Sequence, residues 1–225
     1  ACGVFVMGGS YGNVVLLGIP LTYTLYGDAG LIAISKIIAA HTPILIPAAT
    51  LIVEMGRQDR PGGKSGPREA ARALVATLKA MARNPIVTAI FAGLAFSLFG
   101  WSLPKPVDRV LEMLAGAAIP AALFALGAGQ AGYRVIGEPR EMAAMAAIKL
   151  LLHPLAVWVL AGPVMGLAPE AVGVAVLTAA MPVGVNVYLL ARQYNVYIEG
   201  AGSAMIVSTA ISVVTVTALM ELIAR

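Results

Sequence analysis

Cysteine, histidine and charge are scarce in this sequence, and each shortage excludes a class of protein. The single cysteine, Cys2, excludes an internal disulfide bond and a cysteine-based metal site. With two histidines, no HExxH motif and no paired aspartates, the chain has neither a metal-binding motif nor a nucleophile–base pair. We therefore expect no enzyme activity, no cofactor and no bound metal. Charged residues make up 12% of the chain, against about 25% in soluble domains.

Apolar residues, in contrast, make up 60% of the chain, and the mean hydropathy is +0.88. A run of about 20 apolar residues is long enough to cross a bilayer as a helix. Seven such spans are predicted, at residues 3–26, 29–54, 85–101, 108–131, 142–166, 171–193 and 200–223. The sequence therefore predicts an all-α, multi-pass membrane protein in a lipid bilayer.

Basic residues are concentrated in one polar linker, residues 56–84, between the second and third spans. Seven of the 15 lysines and arginines lie there: Arg57, Arg60, Lys64, Arg68, Arg72, Lys79 and Arg83. No aromatic residues alternate with them, which disfavours nucleic-acid binding, and the positive-inside rule predicts a cytoplasmic linker. Counting spans from there puts the C-terminus on the extracytoplasmic side. Residues 69–83 have one apolar face, which predicts an amphipathic helix on the membrane surface.

The first and sixth spans contain residues that disfavour a continuous helix. The set in span 3–26 is Gly12, Asn13, Gly18 and Pro20, and the set in span 171–193 is Pro182, Gly184 and Asn186. Proline removes a backbone donor and glycine weakens a helix, so both spans are predicted to unwind near mid-membrane. A simple proline kink would explain one such helix. Two, in comparable places, indicate a transporter built from inverted repeats.

Two broken helices that cross would bring the N-terminal ends of two half-helices to one point. Their partial positive charge can bind an anion without a buried lysine or arginine. The predicted substrate-binding residues are those of the two breaks: Asn13, Gly18, Pro20, Pro182, Gly184 and Asn186. The two amides would either satisfy freed backbone groups or bind the ligand.

Two ionisable residues inside a span, Lys149 and His153, are further candidates for substrate contact or ion coupling. The alternatives are that Lys149 snorkels to the cytoplasmic end of its helix and that His153 bonds a carbonyl freed by the next residue, Pro154. For Lys36 and His41, in the second span, the same two interpretations hold: a role in substrate contact or ion coupling, or a purely structural role.

Four segments resemble the auxin efflux carrier family, which includes bacterial malonate-type carriers and plant auxin exporters and is related in fold to bile acid:sodium symporters. GNVVLLGIPLTYTLYGDAG (residues 12–30) resembles the family's fourth helix, and residues 84–129 resemble its sixth and seventh. IKLLLHPL (148–155) resembles the eighth, and AAMPVGVNVYLLARQYNV (179–196) resembles the ninth.

The resemblance implies a ten-helix transporter of two inverted repeats, whose first three helices this chain lacks, so that it would not transport alone. Residues 85–131 would form a scaffold that mediates a homodimer, while residues 1–55 and 141–225 would form a moving transport domain. The implied substrate is a small organic anion such as malonate or an auxin-like acid, and the short linker implies a bacterial inner membrane.

Several properties stay open at this point: the identity of the substrate, the direction of transport, and coupling to a proton, to sodium or to neither. A channel, a membrane receptor on the same fold and a non-transporting fragment are the alternatives to a carrier. A channel or receptor has no need of two inverted breaks, which favours the carrier.

Overall fold

A computed structural model describes residues 2–58, 67–83, 85–132, 135–136 and 138–223, and their regular secondary structure is helical apart from one isolated β-bridge. The helices are α1 (Cys2–Ser10), α2 (Ile19–Gln58), α3 (Pro67–Ala82), α4 (Pro85–Phe99), α5 (Lys105–Gln130), α6 (Pro139–Ala147), α7 (His153–Val159), α8 (Pro169–Ala179), α9 (Val185–Tyr194) and α10 (Ile198–Ile223). Three π-helical turns, Val14–Gly18, Ile148–Leu152 and Leu160–Val164, continue into or out of these helices.

Four of the described helical segments are long and apolar enough to cross a membrane: Val14–Val53, Lys105–Gln130, Pro139–Val164 and Ile198–Ile223. Two shorter apolar helices, Val87–Phe99 and Pro169–Ala179, accompany them. The prediction of an all-α, multi-pass membrane protein is therefore confirmed. Four long segments appear instead of the seven predicted spans because the first two spans are joined, the sixth is divided, and the third forms a helix of only 15 residues.

The first two predicted spans are joined by a sharp reversal at Gly27. Its φ of 55° and ψ of −141° lie in a region that is accessible to glycine and strained for other residues. Residues on either side of the reversal come together, since a Cβ added at Gly18 would lie 3.1 Å from Ile34 Cδ1. The two spans therefore form a helical hairpin with no intervening loop.

Each π-helical turn either contains a proline, Pro163, or ends two residues before one, Pro20 or Pro154. A π turn holds one extra residue, which makes room for a proline ring that would clash inside a regular α-helix. The predicted unwinding of the first span is therefore found at Gly12 and Asn13 of the predicted set and not at Gly18 and Pro20. Both residues lie in continuous helix, and the break lies upstream, at residues 11–13.

Two buried apolar clusters lie on either side of the broken helices. One joins α1, the C-terminal part of α2, α9 and the start of α10, with Met7, Val187 and Met205 at its centre. The other joins the first part of α2, α8 and the end of α10, with Ile34 and Leu177 fully buried. No residue of α5 is buried, so α5 lies outside this packed core.

The predicted amphipathic helix of the linker is confirmed as α3, and its Thr77 Oγ1 lies 3.5 Å from Thr50 Oγ1 of α2. Four of the basic residues that define the predicted orientation, Arg60, Lys64, Arg134 and Arg225, lie outside the described residues. The cytoplasmic placement of the linker stays a prediction, as does the contact of α3 with a membrane surface.

Candidate functional site

Two helices are interrupted, and they cross at their interruptions. Residues 11–13 separate α1 from the helix that begins at Val14, and residues 180–184 separate α8 from α9. The two unwound segments run antiparallel and pair through a β-bridge between Gly12 and Val183. The predicted crossing of two broken helices is thus a feature of the structure.

The two unwound segments form backbone hydrogen bonds with each other. The backbone N–H of Asn13 donates to the carbonyl of Pro182 at 2.7 Å, and the N–H of Gly184 donates to the carbonyl of Tyr11 at 3.0 Å. This approach needs glycine, because a Cβ at Gly184 would lie 2.8 Å from Tyr11 Cδ1 and 2.9 Å from the Gly12 oxygen. The glycine and proline of the second break therefore serve close pairing of two backbones.

A serine of α10 satisfies one further backbone group of the second break. Ser208 Oγ accepts a hydrogen bond from the N–H of Val183 at 3.1 Å and donates to the Met205 carbonyl at 3.2 Å. Ser208 was not predicted as a site residue, because the other serines and threonines of the last span look the same in the sequence and usually bond carbonyls of their own helix.

The N-terminal ends of both second half-helices face a cavity of 160 Å³ lined by residues 11–16 and 184–186. The N-cap residues of these helices, Asn13 and Gly184, make no side-chain capping bond. The first backbone N–H groups of a helix have no acceptor within the helix, so donors at both helix starts are available to a ligand. Two partial positive charges thus converge on one small cavity.

Two amide side chains line this cavity. Asn13 is 5% exposed, and its amide has no hydrogen-bond partner among the described residues. Asn186 Nδ2 donates to Tyr11 Oη at 2.7 Å, and Tyr11 Oη lies 3.3 Å from Thr42 Oγ1. Tyr11 is a cavity residue that sequence reasoning missed, because its link to Asn186 joins positions 175 residues apart.

The structure brings together four of the six predicted substrate-binding residues. Asn13, Gly184 and Asn186 line the cavity, and Pro182 lies in the second break. Gly18 and Pro20 lie one to two turns along the helix from Asn13 and do not line the cavity.

Lys149 lies on the side of the crossing where α8 ends, and it does not line this cavity. It is fully buried, and its Nζ donates to the carbonyl of Ala179, the last residue of α8, at 2.6 Å. The same nitrogen lies 2.9 Å from His153 Nδ1. Burial at this depth excludes the snorkelling interpretation of Lys149. Lys36, by contrast, is exposed.

His41 also lies near this side of the crossing. Its ring centroid is 4.7 Å from that of Tyr11, and it lies against the backbone carbonyl of Ser10 at the end of α1. Its Nδ1 is buried without a hydrogen-bond partner among the residues that the structure describes.

The sequence profile of the membrane transport protein family matches residues 2–220. The chain is 31% identical over 219 residues to a putative malonate transporter of Rhizobium meliloti (strain 1021), which covers 96% of this chain and 65% of that protein. It is 24% identical over 247 residues to auxin efflux carrier component 8 of Arabidopsis thaliana, and the match covers 92% of this chain and 66% of that protein. It is 26% identical over 203 residues to the uncharacterized transporter YfdV of Escherichia coli (strain K12), and the match covers 90% of this chain and 62% of that protein.

These relatives confirm the resemblance to the auxin efflux carriers, and the family comprises transporters rather than enzymes. The chain spans 62–66% of the length of the three relatives. Because the family profile matches almost every residue, the chain belongs to the membrane transport protein family.

Proposed function

We propose that the protein is a secondary transporter that binds a small organic anion in the cavity at the helix crossing. The observation that carries this proposal is the convergence of two helix N-termini and the unpartnered Asn13 amide on that cavity. No lysine or arginine among the described residues lines the cavity. A carboxylate would therefore be held by backbone N–H groups, amides and helix dipoles.

The proposed substrate class is a small carboxylate such as malonate, with an auxin-like acid as the second candidate. The names of two relatives, a putative malonate transporter and an auxin efflux carrier, support this class. A site made of partial charges suits a carrier, because the anion must be released on the other side of the membrane after each crossing.

We further propose alternating access by an elevator-like movement of residues 1–55 and 141–225 against a scaffold of residues 85–131. The antiparallel pairing of the two breaks supports an inverted-repeat, ten-helix plan. The absence of buried residues in α5 supports its placement in a separate layer, and a homodimer through this layer belongs to the same proposal.

The test is counterflow of radiolabelled malonate in proteoliposomes that contain the protein as its gene encodes it. A carrier is expected to give uptake that saturates with external malonate and accelerates when unlabelled malonate is loaded inside. A channel would give flux that rises linearly and shows no such acceleration, and a receptor would bind malonate without flux. Protein-free liposomes are the control.

The orientation of the proposed carrier in a bacterial inner membrane can be tested at Ser65, in the basic linker. We expect a Ser65→Cys variant in a Cys2→Ser background to resist a membrane-impermeant maleimide in intact cells and to react after permeabilisation. The reason is the positive-inside rule applied to the seven basic residues between 57 and 83. Rapid labelling in intact cells would reverse the orientation of every span, including the extracytoplasmic placement of the C-terminus.

A further inference from the structure

The crossing has two faces of opposite polarity. On one face the helices that follow the breaks begin, and their N–H groups point to the anion cavity. On the other face α1 ends at Ser10 and α8 ends at Ala179, so carbonyl groups and the negative ends of two helix dipoles face inward. In transporters with discontinuous helices, such C-terminal ends and unwound carbonyls coordinate the coupling sodium ion or proton.

The Lys149 side chain occupies this second face. Its Nζ donates to the Ala179 carbonyl at 2.6 Å and lies 2.9 Å from His153 Nδ1. It also lies beside the other broken helix, because a Cβ added at Gly12 would lie 3.1 Å from Nζ. One nitrogen thus bonds the end of one broken helix and lies next to the break of the other.

No carboxylate among the described residues pairs with Lys149, which contacts a carbonyl and an imidazole. The ionisable groups around it are His153 on its own helix and His41 on α2. A buried ammonium needs a compensating negative partner, and the helix C-terminal carbonyls are the negative groups within its reach. Lys149 does not line the anion cavity, so its position does not favour direct contact with the substrate.

We propose that the Lys149 ammonium, held between the Ala179 carbonyl and Gly12 at the C-terminal face of the crossing, is a tethered substitute for a coupling cation. This inference rests on the proposed transport function and specifies its ion requirement. The ammonium compensates the negative helix ends and keeps the two breaks paired, while the anion binds at the opposite face. Transport therefore needs no sodium ion. Lys149 is a positioning residue, since it acts on the anion through the crossing.

The test compares wild type with two variants, using thermal unfolding in detergent and malonate counterflow, each in sodium, choline or ethylammonium chloride. Lys149→Ala removes the ammonium and leaves space for a small cation. Lys149→Met removes the charge but retains most of the volume, so it covers the case in which the alanine variant does not fold. Lys105→Ala is the control, because Lys105 is an exposed lysine at the first residue of α5.

We expect wild type and Lys105→Ala to unfold at the same temperature and to exchange malonate at rates within twofold in all three salts. Lys149→Ala should exchange at least tenfold more slowly in choline. Sodium or ethylammonium should raise both its unfolding temperature and its exchange rate. Lys149→Met should be equally slow and insensitive to the salt, because its side chain fills the space.

Three results would overturn the inference: wild-type exchange that falls tenfold or more in choline, wild-type exchange rates in Lys149→Met, or a folded Lys149→Ala that no cation restores. The last result would leave Lys149 with a purely structural role. Absence of exchange by wild type in every salt would instead refute the transport of malonate. The unfolding measurement needs no substrate, so it still tests the cation site in that case.

Discussion

Replacing Gly184 with valine is expected to abolish anion binding and to loosen the crossing of the two broken helices. A Cβ at this position would lie 2.8 Å from Tyr11 Cδ1, 2.9 Å from the Gly12 oxygen and 3.0 Å from the Gly12 carbonyl carbon. Two of these three atoms belong to backbone and cannot rotate away. The two breaks would have to separate, which would lengthen the hydrogen bond from the Gly184 N–H to the Tyr11 carbonyl.

The expected size of this effect follows from overpacking, which costs about 1–3 kcal/mol where neighbours can shift. Where the neighbour is backbone, the cost should lie at the upper end or above it, so roughly 3 kcal/mol or more of the free energy of unfolding. Anion binding should be lost because the separated breaks no longer place both helix N-termini at one cavity. Gly184→Ala should show the same defect to a smaller degree. Malonate affinity, measured by calorimetry on monodisperse protein, is the readout.

The matched control is Gly116→Val in α5, where an added Cβ meets no described atom within 4 Å. This variant should bind malonate as wild type does, although both substitutions place valine where glycine was. If Gly184→Val binds malonate with wild-type affinity, close pairing of the two breaks is not required for the site.

The sequence was sufficient to predict which helices are broken, because glycine and proline act through local backbone geometry. It was not sufficient to decide where, between Gly12 and Pro20, the first helix breaks. Pro20 is the stronger helix-breaking residue, yet the π turn Val14–Gly18 accommodates its ring, and the chain unwinds at residues 11–13 instead. There Gly12 pairs with Val183 of the second break, so the location of one break depends on the partner that the other provides.

The polarity of the site was predictable from helix direction alone, whereas its side-chain contacts were not. Lys149 and His153 were recognisable as buried candidates because they lie four residues apart on a predicted span. Their position at the C-terminal end of α8 depends on a contact with Ala179, 30 residues away. The contact of Tyr11 with the cavity was not predicted, because nothing in the sequence around a tyrosine in an apolar run indicates a hydrogen bond to Asn186.

Replacing Asn13 with alanine should weaken anion binding without unfolding the protein. Its side chain makes no cap and has no hydrogen-bond partner among the described residues, although it is 5% exposed and lines the anion cavity. A buried amide without a protein partner costs free energy unless a ligand or water satisfies it. Its removal should therefore leave the free energy of unfolding nearly unchanged. It should also cost roughly 1–3 kcal/mol of binding, about a 5- to 150-fold loss.

Asn186→Ala provides the internal comparison. Asn186 donates to Tyr11 Oη at 2.7 Å, so its loss should lower both malonate affinity and the temperature of unfolding, whereas the loss of Asn13 should lower affinity alone. Gln58→Ala, at the last residue of α2, is the amide control and should change neither. Calorimetric titration with malonate and thermal unfolding of the same purified samples separate the two quantities. Wild-type affinity in both asparagine variants would mean that neither amide contacts the anion, and that the backbone N–H groups of the two helix starts hold it alone.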